Sequence, residues 1–365
     1  MNLRIPGPTP VPREVAEAGA ADMINHRGPE FAELVARVTQ GVKQVYQTSN
    51  DVLILTTSGS GGMEAAVVNH VSPGDKVLVV TIGVFGKRFL EIVQTYGGQP
   101  TELTFDFGTA ADPARIDEAL AADPELKAVL VTHNETSTGV TNPLKEIAAA
   151  VRKHDRLLIV DAISSLSSIP VETDAWGLDV VVSGSQKGWM VAPGLAFVSV
   201  SPRAWEVQAR CTTPRFYFDL QRAKGSAEKG QTPWTPAVSL FFQLDRALDM
   251  LFAEGLPNVY ERHHRLAEKT RRGLQDLGLE LFAAEGSRSD TVTAVKVPGG
   301  VDGSLITKTA RTEFSTVLAG GQGSLSGKIF RFGHLGLVTD QDVDDGLQAV
   351  SQTMERLGFK SPTLA

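Results

Sequence analysis

Between residues 31 and 46 the apolar positions Phe31, Leu34, Val35, Val38, Val42 and Val45 recur at the spacing of one helix face, which predicts an amphipathic helix with one buried side. It closes at the turn cluster Thr48-Ser49-Asn50-Asp51. From there the texture alternates. Short β-rich runs at 52–56, 77–82, 128–132, 157–161, 180–183 and 196–200 are separated mostly by helical patterns, notably at 63–71, 85–96, 113–121 and 144–154. Strands of nearly unbroken Val, Ile and Leu are those buried on both faces, and the intervening helices are what covers a mainly parallel sheet. Ligands of such sheets bind at the carboxyl ends of the strands.

The two ends of the chain read differently. Pro6-Gly7-Pro8-Thr9-Pro10-Val11-Pro12 cannot form regular helix, because proline fixes φ and lacks an N–H, so residues 1–20 are expected to be an extended arm of the kind that crosses onto a partner subunit. After Arg215 a polar, glycine-bearing loop is expected through Lys224-Gly225-Ser226-Ala227-Glu228-Lys229-Gly230, then a long helix at 239–252. The change of domain is placed at Leu256-Pro257, giving a large domain over 21–255 and a small α/β domain over 256–365, with strands at 292–297 and 329–332 and a closing helix at 340–357. No internal repeat is visible.

With 365 residues, 42% of them hydrophobic, the chain buries a sizeable core. A net charge of −7 without any run of like charges gives no footing to nucleic acid or anionic lipid, so a small molecule is the expected partner. Cys211, the single cysteine, rules out an internal disulfide framework and a cysteine-cluster metal site, and a reducing cytoplasm is the expected compartment. The N-terminus has no signal-peptide core, no run is long enough to span a bilayer, and Pro362-Thr363-Leu364-Ala365 is no targeting tripeptide.

Candidate chemistry centres on Ser183-Gly184-Ser185-Gln186-Lys187-Gly188-Trp189, where a lysine sits in a small-residue loop directly after an apolar strand. A crowded, partly desolvated loop disfavours the ammonium form and leaves an amine able to attack a carbonyl. Taken alone, Lys187 reads first as structural or solvated. Asp161 changes the reading, because it ends the strand Leu157-Leu158-Ile159-Val160 and so shares the strand-end edge with the lysine. A buried carboxylate there can keep a pyridine nitrogen protonated, the state in which pyridoxal 5′-phosphate (PLP) acts as an electron sink. A helix cap is the ordinary alternative for such an aspartate.

Four further segments fall at similar places. Thr56-Thr57-Ser58-Gly59-Ser60-Gly61-Gly62-Met63-Glu64 is a glycine-rich strand-to-helix turn with backbone N–H groups able to cradle a phosphate, yet it has neither the G-x-x-x-x-G-K-[ST] pattern nor dinucleotide spacing. Phe85, in Gly83-Val84-Phe85-Gly86, would lie where a cofactor ring could stack, or else in the core. Thr132-His133-Asn134-Glu135-Thr136-Ser137-Thr138-Gly139 offers the Thr136 hydroxyl to a phenolic oxygen, while His133 and Glu135 could simply satisfy buried backbone groups. Arg331, within the apolar strand Ile329-Phe330-Arg331-Phe332, needs an anion, supplied either by a structural salt bridge or by a substrate carboxylate.

Taken in order, Gly7-Pro8-Thr9-Pro10, His26-Arg27-Gly28-Pro29-Glu30-Phe31, Ser58-Gly59-Ser60-Gly61, the segment 132–139, Asp161-Ala162-Ile163-Ser164-Ser165, Ser183 to Lys187 and Arg331-Phe332-Gly333-His334 resemble the class V aminotransferases of fold type I, particularly the alanine–glyoxylate and serine–glyoxylate enzymes, over nearly the whole chain. The resemblance implies an α/β fold with a mainly parallel seven-stranded sheet in the large domain and a small C-terminal α/β domain. It implies PLP as cofactor, with Lys187 as the Schiff-base lysine, Asp161 on the pyridine nitrogen, Phe85 stacked on the ring and Thr136 near the ring oxygen. Ser60, Gly61, Gly62 and Gln186 would surround the phosphate, Arg331 would bind the substrate carboxylate, and no metal is implied. A neighbouring subunit would complete the phosphate site through Thr232 or Thr235, which makes the expected assembly a homodimer. Phe85 departs from the tryptophan frequent at this position in the glyoxylate enzymes and narrows the stacked surface.

The activity so implied is transfer of an amino group from alanine or serine to glyoxylate or pyruvate by a ping-pong mechanism. Close alternatives are transfer from aspartate or 2-aminoethylphosphonate. Desulfurase or lyase chemistry on the same fold is the more distant one; a desulfurase needs a cysteine on a mobile loop, and the loop Ala319-Gly320-Gly321-Gln322-Gly323 has none. A binding or regulatory protein without activity is a further possibility, opposed by the joint presence of Lys187, Asp161 and Arg331.

Overall fold

The computed structural model describes residues 1–359; the Pro362-Thr363-Leu364-Ala365 end lies outside the described residues. In chain order, β1 (Asn2–Arg4), α1 (Arg13–Ala18) and α2 (Pro29–Tyr46) precede β2 (Asp51–Thr56) and α3 (Gly59–His70). Then come β3 (Lys76–Thr81), α4 (Val84–Thr95), β4 (Gln99–Thr104), α5 (Pro113–Ala122), β5 (Ala128–Thr132), the short pair β6 (Asn134–Glu135) and β7 (Val140–Thr141), α6 (Leu144–Lys153) and β8 (Leu157–Asp161). The chain continues through α7 (Thr173–Trp176), β9 (Val180–Gly184), β10 (Leu195–Val200), α8 (Pro202–Gln208), α9 (Leu220–Ala227) and α10 (Val238–Glu254). Gly255, at φ 83°, separates α10 from α11 (Leu256–Asp276), after which β11 (Val292–Lys296), α12 (Gly303–Phe314), β12 (Thr316–Gly320), β13 (Ile329–Gly333) and α13 (Asp340–Arg356) follow.

The main sheet has seven strands in the order β2-β10-β9-β8-β5-β3-β4, with β10 alone antiparallel to its neighbours. Both faces are covered, as the strand composition requires. Along β3, Val77 and Val79 pack with Met63, Val67 and Phe89, whereas Leu78 and Val80 join Phe31, Ile116, Ile147 and Phe241 on the other side. Side chains that alternate about the pleat thus enter two separate cores, each sealed by helices. At about 25 cal/mol per Å² of apolar surface removed from water, this double burial is the main force holding the sheet.

The second sheet runs β1-β12-β13-β11. Its first strand comes from the chain's own N-terminus: Asn2–Arg4 pair in parallel with Thr316–Leu318. The N-terminal segment is thus not extended throughout, contrary to the expectation for residues 1–20: it begins as a strand of the second sheet, and Arg13–Ala18 form α1, which lies against α10. Three residues ahead of a proline-rich run carry no period from which pairing could be read.

Two other expectations are corrected. The segment expected as a polar loop at 224–230 is largely helical, because the Asp219 side chain accepts from Arg222 N and starts α9. The glycine-rich turn at 59–62 is instead the first turn of α3. Its glycines serve close packing: a Cβ on Gly61 would meet the Thr57 hydroxyl, and one on Gly62 would approach Val182 and Ala196 of the sheet to 2.8 and 3.0 Å.

Candidate active site

Five parallel strands deliver side chains to one edge. β2 leads into Ser58 and Ser60, β3 into Phe85 and Arg88, β5 into Asn134 and Thr136, β8 ends on Asp161, and β9 leads into Gln186 and Lys187; all of these line a single cavity, together with Gly59, Ile163 and Ser164. This is the carboxyl edge, where crossover connections leave a crevice. Six of the residues singled out in the sequence meet there: Ser60, Phe85, Thr136, Asp161, Gln186 and Lys187.

The lysine loop is held from beneath. Trp189 is fully buried, packs against Phe197 with the rings tilted and their centres 4.6 Å apart, and donates its indole N–H to Ser183 Oγ at 2.8 Å. Thr9 of the N-terminal arm ties the loop from above, its N–H donating to the Gln186 carbonyl and its hydroxyl to the Lys187 carbonyl. Lys187 Nζ itself donates to the Pro6 carbonyl at 2.5 Å. At Gly7, with φ 131°, a Cβ would stand 2.6 Å from that amine, so the arm passes the lysine only without a side chain.

Burial dominates the protonation of the central pair. It pulls the Lys187 amine down to about 8, against the opposing pull of Asp161 and with help from the positive charges of Arg331 and Arg88. Burial pushes the Asp161 carboxyl up to about 6, although Ile163 N donates to it at 2.9 Å. The amine thus reaches its neutral form far more easily than an exposed lysine, and the carboxyl sits close to exchanging a proton at neutral pH.

Glu135 is fully buried and caps α4: one carboxylate oxygen accepts from Phe85 N and Gly86 N at 3.0 and 3.1 Å, the other from the N–H and hydroxyl of Ser137. It satisfies buried backbone groups, and in doing so fixes the turn that carries Phe85. His133 is buried, with its imidazole pushed down to about 4 by desolvation.

The other singled-out residues lie off the cavity wall. Gly61 sits a step deeper in α3, and Gly62 N is already committed to the Ser58 carbonyl at 3.1 Å, so Gly62 has no N–H to offer a ligand. Arg331 is buried behind Thr136, donating to the Thr136 carbonyl at 3.0 Å and twice to the Gly320 carbonyl at 3.0 and 2.7 Å. No carboxylate appears among those partners, and burial holds its guanidinium down to about 10. Thr232 and Thr235 are not among the residues that line this wall; the Thr232 hydroxyl donates to the Trp234 carbonyl, and Thr235 is exposed. Arg88 and Pro6 were not singled out in the sequence. The signal for Arg88 was its position three residues after Phe85, on the same helix face; nothing in the sequence pointed to the Pro6 carbonyl.

These residues fit PLP. Gln186 lines the cavity with an amide whose NH2 can donate, Ser60 lies in the first turn of a helix whose first N–H groups have no acceptor within the helix, Phe85 presents a ring, and a carboxyl and an amine complete the wall.

The profile of the class-V aminotransferases matches residues 7–327. The chain is 45% identical to the small subunit of a soluble hydrogenase from Synechococcus sp., covering 99% of this chain and 94% of that one. It is 39% identical to the L-aspartate–glyoxylate aminotransferase of Paracoccus denitrificans, covering 97% and 91% respectively. The crystal structure of an alanine–glyoxylate aminotransferase from Nostoc sp. superposes with a TM-score of 0.94 at 31% identity, covering 97% of this chain and 95% of that one.

Proposed function

The chain belongs to the class V aminotransferase family, which uses PLP, and we propose that it moves an amino group from a small amino acid, alanine or serine first, to a 2-oxo acid such as glyoxylate or pyruvate. The observation that carries this reading is the convergence of Lys187, Asp161, Phe85 and Ser60 on one cavity at the carboxyl edge of the sheet.

Lys187 Nζ would hold the cofactor, Asp161 would face its ring nitrogen, Phe85 its ring, Thr136 its phenolic oxygen, and Ser60, Gly61 and Gln186 its phosphate. Bound there, PLP supplies the electron sink that makes the Cα proton of an amino acid removable. Lys187 Nζ, eased toward its neutral form by burial, takes that proton from Cα as general base and returns it as general acid. Asp161, whose carboxylate burial alone disfavours, would hold its negative charge at the ring end by pairing with the protonated ring nitrogen. Arg331 has three N–H contacts to carbonyls and no carboxylate among them, only the longer-range charge of Glu135, so a substrate carboxylate would supply a direct counter-charge.

A homodimer with a shared site belongs to the same reading. Phe216 and Tyr217, 66% and 43% exposed, group around Trp234 beside Thr232 and Thr235, an aromatic surface of the kind that subunit interfaces use. Since Thr232 already donates within its own chain, the reading assigns the contact with the neighbouring phosphate to Thr235. A cytoplasmic location is proposed from the lone cysteine. The hydrogen chemistry named in the Synechococcus relative is not carried over, because iron–sulfur centres are held by sets of cysteine thiolates and this chain has one cysteine.

The test is a panel of donors (alanine, serine, aspartate, 2-aminoethylphosphonate) against glyoxylate, pyruvate and 2-oxoglutarate, followed by the spectral conversion of the bound cofactor in each half-reaction. Conversion by alanine or serine, reversed by glyoxylate or pyruvate, is expected; conversion by aspartate or the phosphonate alone would replace the substrate assignment.

A further inference from the structure

Arg88 occupies the cavity wall one helical turn after Phe85, and its guanidinium makes two contacts there. NH1 donates to Ser60 Oγ at 2.9 Å, and the guanidinium carbon lies 4.7 Å from the centre of the Phe85 ring. Arg88 and Lys187 are the two cations among the cavity's lining residues, and Asp161 is the one carboxylate. Lys187 Nζ is turned to the Pro6 carbonyl, so the positive charge beside Ser60 is that of Arg88.

The contact fixes the direction of a proton. A serine hydroxyl has one hydrogen and two lone pairs, whereas a guanidinium has donors only. Once Ser60 Oγ accepts from Arg88, its own hydrogen is free to point into the cavity. Without Arg88 the hydroxyl could rotate and accept from a backbone N–H at the start of α3, presenting a lone pair to the cavity instead. For a dianionic phosphate the difference is between a donor and a repelling acceptor.

We infer that Arg88 is a positioning residue for the phosphate of the cofactor: it sets the Ser60 hydroxyl as a donor toward that group and adds the positive charge beside it. This rests on the PLP reading of the cavity and goes beyond it, since neither the family profile nor the motifs assign Arg88 a role.

The test compares two ligands that differ only at the phosphate. The full-length protein, stripped of cofactor, is titrated with PLP and with pyridoxal, as wild type and as Arg88→Gln, Arg88→Lys, Ser60→Ala and the Ser60→Ala/Arg88→Gln double variant. Losing a charge-assisted hydrogen bond should weaken PLP binding by roughly ten- to a hundred-fold in Arg88→Gln. Pyridoxal binding should stay within about two-fold, and the double variant should be no weaker than the weaker single one by more than about two-fold. Arg88→Lys, which can still donate to Ser60 Oγ, should recover part of the loss.

Equal weakening of both ligands would make Arg88 merely structural and overturn the inference. So would unchanged PLP affinity, or fully additive losses at positions 60 and 88. Should Arg88→Gln fail to fold, Arg88→Lys and Ser60→Ala still decide through the same PLP-to-pyridoxal ratio. Wild-type protein that binds neither ligand would reject the cofactor reading itself, an outcome distinct from any of these.

Discussion

Asp161, the last residue of β8, and Lys187, three residues beyond the end of β9, face one cavity from adjacent parallel strands. Each favours the charged form of the other, and on each the loss of water wins, drawing the amine down to about 8 and the carboxyl up to about 6. Two groups whose protonation ranges are brought together at a strand-end crevice are what acid–base chemistry near neutral pH requires.

Asp161→Asn keeps the shape of the side chain and removes its charge. Turnover should fall by about a hundred-fold or more, with the protein still folded. Steady-state kinetics on an active donor–acceptor pair checks this; turnover close to wild type would show that the carboxylate has no part at the ring.

Stability of the cofactor-free protein should depend on pH through both groups. An amine that gives up its proton near 8 when folded and near its ordinary 10.5 when unfolded makes the unfolded chain the better proton binder between those values, so stability rises across that window and carries the full penalty below about 8. Asp161 acts at the acid end: a carboxyl near 6 when folded and 3.8 when unfolded makes stability fall as pH rises from 3.8 to 6. Lys187→Met should therefore stabilise the cofactor-free protein below about pH 8, by up to about 3 kcal/mol, with the pH-dependent part of the gain gone above about pH 10.5. Urea denaturation across pH measures it, and a gain independent of pH would contradict the lowered amine.

Arg331→Ala should raise KM for a carboxylate-bearing donor by about ten- to a hundred-fold, and Arg331→Lys should rescue it incompletely, because a lysine cannot reproduce a planar two-pronged contact. Kinetics with alanine as donor reads this directly. An unchanged KM would leave the Thr136 and Gly320 carbonyls as the residue's whole purpose.

Glu135→Ala leaves the N–H groups of Phe85, Gly86 and Ser137 without their acceptor. A loss of about 2–4 kcal/mol is expected, read as a shift of the urea midpoint. Wild-type stability would show that the cap on α4 does not matter.

The strands of the main sheet were legible because Val, Ile and Leu runs such as 77–80 and 157–160 are buried on both sides and leave no polar break. β4 was not, since Gln99–Thr104 is an edge strand with exposed Gln99, Thr101, Glu102 and Thr104, and so has no apolar signature. At the site, Lys187, Asp161 and Ser60 could be found because each follows a readable strand. Gly61 and Gly62 were assigned to the phosphate from the glycine-rich strand-to-helix turn and the family resemblance; contacts with Thr57, Val182 and Ala196, which no local pattern encodes, also require glycine there. The Pro6 carbonyl next to Lys187 Nζ joins positions separated by 181 residues, a pairing that no local pattern encodes.

The most direct measurement traps the bond itself. Borohydride reduction of the PLP-loaded protein, followed by proteolysis and mass spectrometry, should place the reduced phosphopyridoxyl group on Lys187 alone, and Lys187→Ala should lose both the label and the visible absorption band. A label on any other lysine, or a band that persists in Lys187→Ala, would contradict the assignment of this cavity as the cofactor site.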